Sequence, residues 1–119
     1  MMKAVILVSP EKLVIDEIPV FPIGRDEVQI KVSACGICGS DLRYFKGENP
    51  WALHTLGKNL KNPPNIILGH EFCGTVCDVG SKDNQHLLGK RVVVAPYKAC
   101  GVCSDCRQGN YNLCRFTKI

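Results

Sequence analysis

Four cysteines near the end of this 119-residue chain have the spacing of a metal site. They follow the order C-x2-C-x2-C-x7-C, at positions Cys100, Cys103, Cys106 and Cys114. Thiolates bind Zn²⁺ tetrahedrally, and four of them fill its coordination sphere and leave no position for water or substrate. The spacing therefore predicts a structural zinc site.

Two other interpretations use the same four cysteines. Two disulfides would need an oxidising compartment, and the apolar run at residues 4–8 is too short for a secretory signal. An iron–sulfur cluster can also begin with C-x2-C-x2-C. The bacterial ferredoxin run, however, closes after three residues with Cys-Pro, whereas here Arg115 follows Cys114 after a longer gap. Zinc is the favoured ion.

A second candidate metal site combines Cys38, His70 and Glu71. A thiolate, an imidazole and a carboxylate form an open zinc site when a coordination position stays free for an oxygen. Adjacent residues on a strand point to opposite faces, so His70 and Glu71 can share an ion only if the backbone turns, which Gly69 allows. Spacing alone leaves open whether these residues meet, because an isolated cysteine or histidine is more often a packing residue.

Composition indicates one small globular domain. The chain is 45% hydrophobic and 22% charged, and its net charge of +4 comes from scattered lysines rather than a basic patch. We therefore expect neither nucleic acid nor a membrane as a partner, and we expect a cytoplasmic protein with reduced thiols. Three further cysteines lack a partner at ligand spacing and are expected to pack in the interior: Cys35, Cys73 and Cys77.

The elements that must position these residues are mainly short strands. Strict alternation over 27–34 predicts a strand with one buried face, and Val-rich runs predict strands at 3–8, 13–18, 75–79 and 91–95. A short helix is expected after Cys38, capped by Ser40 or Asp41. Residues 46–65 read as a long irregular loop that carries Trp51 and His54, which we expect to pack the loop down rather than to contact a substrate. These elements predict a small β-barrel or sandwich.

Three ordered motifs give the chain a family resemblance. Gly36-Ile-Cys-Gly-Ser-Asp41, then Gly69-His-Glu-x-x-Gly74, then the four-cysteine run resemble the zinc-dependent medium-chain alcohol and polyol dehydrogenases. The resemblance implies that residues 1–119 are the N-terminal part of a GroES-like β-barrel catalytic domain, with a structural zinc lobe at 96–117. It also implies a Rossmann NAD(P) domain and a further zinc ligand beyond residue 119. Residues 1–119 themselves contain no G-x-G-x-x-G fingerprint of a dinucleotide-binding domain.

Site roles follow from the same resemblance. Cys38 and His70 match catalytic zinc ligands, and Glu71 matches the carboxylate that binds the ion or lies beside it. Ser40 matches the hydroxyl that passes the alcohol proton toward solvent, and Asp41 matches the carboxylate that orients the ligating histidine. The structural zinc would be held by Cys100, Cys103, Cys106 and Cys114.

The resemblance implies oxidation of an alcohol, diol, polyol or threonine-like substrate to a carbonyl, with NAD or NADP as hydride acceptor. Gly39 resembles the polyol and threonine dehydrogenase branch, and the family implies a homodimer or homotetramer. We expect the 119 residues alone to be inactive, because the nicotinamide has no binding site in them. The alternative hypothesis is a stand-alone, zinc-stabilised binding module without catalysis.

Overall fold

The computed structural model of the chain describes residues 1–118, which form two small sheets and three short helices. The strands are β1 (Met2–Ser9), β2 (Lys12–Ile18), β3 (Val28–Gly36), β4 (Ile66–Ile67), β5 (Glu71–Val79) and β6 (Arg91–Val93). The helices are α1 (Gly39–Phe45), α2 (Pro50–Leu56) and α3 (Ser104–Arg107), with 3₁₀ turns at Lys82–Leu87 and Tyr111–Leu113. The prediction of a mainly β chain is confirmed. None of the helices in this described part is long and apolar enough to cross a bilayer.

The strands pair as two open antiparallel sheets. One sheet has the order β2-β1-β4 and the other has the order β3-β5-β6. β1 and β2 form a hairpin whose turn places Glu11 at a φ of 62°, the left-handed region that a tight turn requires. β4 is short, and it joins β1 by pairing Ile67 with Ile6. Each sheet therefore ends in edge strands rather than closing on itself within residues 1–118.

The β3–β5 ladder is the longest pairing in the second sheet. It runs from Val28 opposite Val79 to Gly36 opposite Glu71, with two register shifts along its length. Because the strands are antiparallel, the end of β3 lies beside the start of β5. The pairing therefore joins two segments of the chain that are more than thirty residues apart in sequence.

The predicted strand at 27–34 exists, but its predicted buried face is wrong. Val28 and Ile30 are half-buried, whereas Val32 is 52% exposed and Ala34 is also exposed. Alternation makes one face of the strand apolar, but burial also needs a second layer packed on that face. Among residues 1–118, no such layer covers the end of β3.

The irregular loop predicted at 46–65 contains a helix, so that prediction is wrong for residues 50–56. Asn49 caps α2 by accepting a hydrogen bond from the backbone N–H of Ala52 at 3.0 Å. Pro50 occupies the first turn, and Gly57 ends the helix with a φ of 63°. These start and stop signals were present in the sequence, but seven helical residues are too few to show a clear 3.6-residue period.

The predicted cap of α1 is also displaced. Cys38 is the residue that caps α1, and Asp41 lies in the first turn. The Asp41 carboxylate reaches back so that its Oδ2 accepts a hydrogen bond from the backbone N–H of Cys38 at 2.9 Å. This is the carboxylate half of a capping box, and it ties Asp41 to the residue before the helix.

The buried core is small. The buried apolar residues are Ala4, Leu7, Ala52, Val76, Cys106 and Cys114. Cys35 and Cys77 are exposed, so the prediction that they pack in the interior is wrong, while Cys73 is half-buried. The error has the same cause as for β3, because these thiols lie on sheet surfaces that no second layer of described residues covers.

Replacing Gly74 with Ala should weaken the β3–β5 pairing. A Cβ at Gly74 would overlap the carbonyl oxygen of Lys31 and lie 2.7 Å from Cγ2 of Ile30. The strands would have to separate, and we expect the free energy of unfolding to fall by about 2–3 kcal/mol. Urea unfolding followed by circular dichroism measures the loss. Gly39→Ala is the matched control, since no atom lies within 4 Å of its added Cβ; equal midpoints for the two variants would contradict the prediction.

Candidate metal centres

The four cysteines of the predicted structural site lie together. Their sulfur atoms are all within 4.8 Å of one another, and the Sγ atoms of Cys100 and Cys106 are 3.9 Å apart. Tetrahedral zinc with Zn–S bonds of about 2.3 Å separates its sulfurs by about 3.8 Å, whereas a disulfide joins them at about 2.0 Å. The donor set therefore fits a zinc ion in both chemistry and spacing.

Backbone N–H groups point at these sulfurs. The N–H of Cys103 donates to Sγ of Cys100 at 3.3 Å, and the N–H of Cys100 donates to Sγ of Cys114 at 3.2 Å. Helix α3 begins directly after Cys103 and carries Cys106. Such hydrogen bonds favour the thiolate form, which is the form that binds metal.

The thiols of this cluster differ in acidity. The hydrogen bond from the backbone N–H of Cys106 lowers the pKa of Cys103 to about 6. Burial raises the pKa of Cys106 to about 12, and the backbone N–H of Cys100 lowers the pKa of Cys114. At neutral pH the cluster therefore mixes thiolate and thiol, and a metal ion that binds all four sulfurs must displace the proton of Cys106.

The second candidate site is assembled by the β3–β5 ladder. Gly36 pairs with Glu71, so Cys38, two residues past Gly36, lies close to His70. Cys38, His70 and Glu71 each offer a ligand atom, and these atoms lie within 4.8 Å of one another. The structure thus brings together the three residues that the spacing alone left unconnected.

Gly69 supplies the backbone turn that this cluster needs. Its φ is +106°, a conformation that residues with a side chain rarely adopt. A Cβ on Gly69 would also lie 2.9 Å from Sγ of Cys35. His70 lies just before β5 rather than within it, and therefore it is not forced to the face opposite Glu71.

His70 lies between Asp41 and Ser40. Its Nδ1 is 3.5 Å from Oδ1 of Asp41, and its Nε2 is 3.4 Å from Oγ of Ser40. Asp41 is buried and held by the N–H of Cys38, so its carboxylate is a fixed acceptor for a proton on Nδ1. A proton on Nδ1 makes Nε2 an acceptor that can take a hydrogen bond from Ser40 or bind a metal, and a carboxylate behind a ligating imidazole is the usual support for such a metal bond.

A cavity of about 270 Å³ opens beside Ser40 and His70. Its far wall includes three residues of α2, namely Trp51, His54 and Thr55. Trp51 and His54 thus line a cavity from a helix rather than lying in an irregular loop, and Thr55 and Tyr97, for which the sequence predicts no role, line it as well. The spacing 51, 54, 55 between a capping Asn and a Gly was the signal that could have placed them on one helix face.

Residues 24–119 match the family profile described as the alcohol dehydrogenase GroES-like domain. The chain belongs to this family. The resemblance read from the three motifs is therefore confirmed, as is the GroES-like fold class.

Similar proteins are dehydrogenases of alcohols and polyols. Sorbitol dehydrogenase of Bacillus subtilis (strain 168) is 42% identical over 113 residues, which is 95% of this chain and 30% of that protein. L-threonine 3-dehydrogenase of Chelativorans sp. (strain BNC1) is 38% identical over 118 residues, which is 98% of this chain and 32% of that protein. The chain therefore spans about a third of the length of the relatives it matches.

Solved structures of related proteins share the fold. An alcohol dehydrogenase from Escherichia coli CFT073 complexed with NADH gives a TM-score of 0.77 at 32% identity, covering 99% of this chain and 31% of that one. A zinc-binding dehydrogenase from Sinorhizobium meliloti 1021 bound to NADP gives a TM-score of 0.74 at 37% identity, and the match covers 98% of this chain and 31% of that one. Both relatives are described with a nicotinamide cofactor.

Replacing Cys103 with Ser should abolish tight zinc binding by the lobe. Loss of one thiolate removes a quarter of a four-sulfur coordination sphere, and binding energy in such sites is also folding energy. Elemental analysis after gel filtration should find about one tightly held zinc per wild-type chain and none at this site in the variant. Cys77→Ser is the matched control, because Cys77 is exposed and outside both clusters. Unchanged zinc content and protease resistance in Cys103→Ser would refute the assignment.

Zinc binding to the lobe should release protons in a pH-dependent amount. Cys103, with a pKa lowered to about 6, is already a thiolate at pH 7, whereas Cys106, with a pKa raised to about 12, still holds its proton. We therefore expect fewer than four protons released at pH 7, more at pH 5, and weaker zinc binding at pH 5 because protons compete for the sulfurs. Calorimetry in buffers of different ionisation enthalpy counts these protons. A release that does not change between pH 5 and pH 7 would contradict the prediction.

Proposed function

We propose that residues 1–119 form the N-terminal part of the catalytic domain of a zinc-dependent dehydrogenase. The enzyme would oxidise an alcohol, diol or polyol to a carbonyl, passing the hydride to NAD or NADP bound by a domain beyond residue 119. A homodimer or homotetramer is proposed on the same family grounds. The similarity to sorbitol and threonine dehydrogenases supports this proposal.

The observation that carries the proposal is the arrangement around His70. A thiol, an imidazole and a carboxylate from Cys38, His70 and Glu71 meet within 4.8 Å, and His70 also lines a cavity large enough for a small alcohol. A cluster that served only to stabilise the fold would be expected to close around its ion, as four thiolates can do. This one has three donors and borders a cavity, which suits an ion that contacts substrate.

Zinc held by Cys38 and His70, with Glu71 bound to it or beside it, would supply Lewis acidity at the edge of the cavity. Oδ1 of Asp41 lies 3.5 Å from Nδ1 of His70, where the carboxylate can accept the Nδ1 proton and so favour the ring form with Nε2 unprotonated. The backbone N–H of Cys38 fixes Asp41 in turn. One capping interaction thus orients both the thiol-bearing residue and the imidazole.

Ser40 is the proposed proton carrier. Its hydroxyl lines the cavity and lies 3.4 Å from Nε2 of His70. A serine hydroxyl can accept a proton from a substrate hydroxyl while it donates its own toward solvent. Removing that proton prepares the substrate carbon to give up hydride, so the products are a carbonyl, the reduced nicotinamide and a proton.

The lobe at 96–117 has a separate proposed role. Its four sulfurs, from Cys100, Cys103, Cys106 and Cys114, would surround a zinc ion completely, and an ion with no free position cannot bind substrate. The lobe contains little regular structure beyond one turn of helix α3. Its zinc would therefore crosslink, and so stabilise, a segment that has few buried residues.

Replacing Asp41 with Asn should weaken the catalytic metal site without affecting the lobe. An amide accepts less strongly than a carboxylate from the His70 ring, and loss of such an outer partner lowers metal affinity by about 10- to 100-fold. In the polypeptide that joins this chain to its nicotinamide domain, kcat/KM for a secondary alcohol should fall with zinc content. Cobalt substitution monitors the two sites separately, because thiolate-to-cobalt absorption depends on the number of sulfurs.

Two results would contradict the proposal. One is a wild-type polypeptide that includes the nicotinamide domain, has both zinc sites filled and oxidises no alcohol, diol or polyol with either nicotinamide. The other is full activity of His70→Ala. Glu17→Gln serves as the control, since Glu17 lies on β2 and outside both clusters. Zinc in the lobe alone, with no catalysis, would instead support the stand-alone binding module.

A further inference from the structure

Three residues of helix α2 line the same cavity as Ser40 and His70. Trp51, His54 and Thr55 are spaced i, i+3 and i+4, so they share one helix face, and all three line the cavity. The helix is fixed at both ends by the Asn49 cap and by Gly57. Helix α2 is therefore a preformed wall of a cavity that His70, one of the proposed metal ligands, also lines.

Arg43 holds His54 in place from the neighbouring helix α1. The Nη1 of Arg43 lies 3.0 Å from Nε2 of His54, and the Nε and Nη2 of Arg43 each lie 2.7 Å from Oε2 of Glu48. Asn62 contacts the same segment by donating to the backbone carbonyl of Glu48. The guanidinium is thus paired with a carboxylate, and its remaining arm is directed at the imidazole.

This contact determines which nitrogen of His54 carries the proton. An arginine N–H can only donate, so Nε2 of His54 must accept and is unprotonated. In a neutral ring the proton is then on Nδ1, which is a hydrogen-bond donor. No residue among 1–118 accepts a hydrogen bond from this Nδ1, so a residue that lines the cavity carries a donor that no described residue pairs with.

We propose that His54, positioned by Arg43, determines specificity by donating a hydrogen bond from Nδ1 to a second oxygen of the substrate. The inference rests on the proposed dehydrogenase function and adds a residue that would select, among its alcohol, diol and polyol substrates, those that carry another hydroxyl near the reacting one. Because Glu48 neutralises Arg43, the wall offers a neutral donor rather than a free positive charge. Uncharged polyhydric alcohols therefore fit it better than anionic substrates.

The energetic consequence is selectivity between molecules that differ by one hydroxyl. A substrate with the second oxygen gains a hydrogen bond at Nδ1, while a monohydric alcohol leaves this donor without a partner when it displaces water from the cavity. Unpaired polar groups of this kind are what make a site reject an analogue that lacks a hydroxyl. His54 should therefore raise kcat/KM for the diol and should not raise it for the monohydric alcohol.

The test compares 2,3-butanediol with 2-butanol, which differ by that hydroxyl alone. In the polypeptide that joins this chain to its nicotinamide domain, His54→Leu should lower kcat/KM for the diol by about 10-fold and leave that for 2-butanol within about 3-fold. His54→Asn, whose amide can still donate, should restore much of the preference. Leu53→Ala is the matched control, because Leu53 is exposed on α2 and does not line the cavity. Equal losses for both probes in His54→Leu, or no loss for either, would overturn the proposal.

A binding measurement keeps this inference separate from the catalytic one. Long-range ¹H–¹⁵N NMR of the zinc-loaded 119-residue chain reports the tautomer of His54 directly. We expect a proton on Nδ1, loss of this fixed tautomer in Arg43→Met, and a shift of the Nδ1 resonance with 2,3-butanediol but not with 2-butanol. A proton on Nε2, or identical responses to both probes, would overturn the role of His54 even in an active enzyme. The dehydrogenase function alone would be contradicted by a different pair of results: the polypeptide with its nicotinamide domain oxidises neither probe, but the 119-residue chain shows the diol-specific shift.

Discussion

Antiparallel pairing of β3 with β5 is the interaction on which the candidate active site depends. The register that places Gly36 opposite Glu71 fixes the distance between Cys38 and His70, because each lies only one or two residues outside the ladder. Gly74 lets the two backbones approach closely in the middle of that ladder. A slip of one residue would reverse the faces of both strands and separate the ligands. The precision of the site therefore comes from backbone hydrogen bonds rather than from the ligands themselves.

The two cysteine-containing clusters meet the requirements of metal binding in different ways. The lobe gathers four sulfurs from one continuous segment, using tight turns and N–H groups that stabilise thiolates. The cluster at Cys38 draws its donors from the end of β3 and the start of the neighbouring strand β5, and a capping interaction through Asp41 orients Cys38 and His70. The first arrangement suits an ion that is enclosed by protein. The second suits an ion that stays accessible to a substrate.

Helices α1 and α2 connect this chemistry to substrate selection. One face of α1 contributes Ser40 and Asp41 to the site, while Arg43 on the same helix reaches α2 and holds His54. The residues that would act on the substrate and the residues that would recognise it are therefore linked through a single short helix. Rigid support of this kind fixes the polar groups in advance, so that substrate binding does not have to order them.

The sequence by itself determined the chemistry: the four-cysteine spacing, the open donor set, the strands and the family. These features are local, because ligand type, turn residues and alternation are all read within a few positions. Only the tertiary structure decided that Cys38 and His70 meet, since strand register depends on contacts between distant segments. It also decided that β3 stays largely exposed and that a helix places His54 on the cavity wall. Burial and pocket geometry depend on which layers face each other, and no local pattern contains that information.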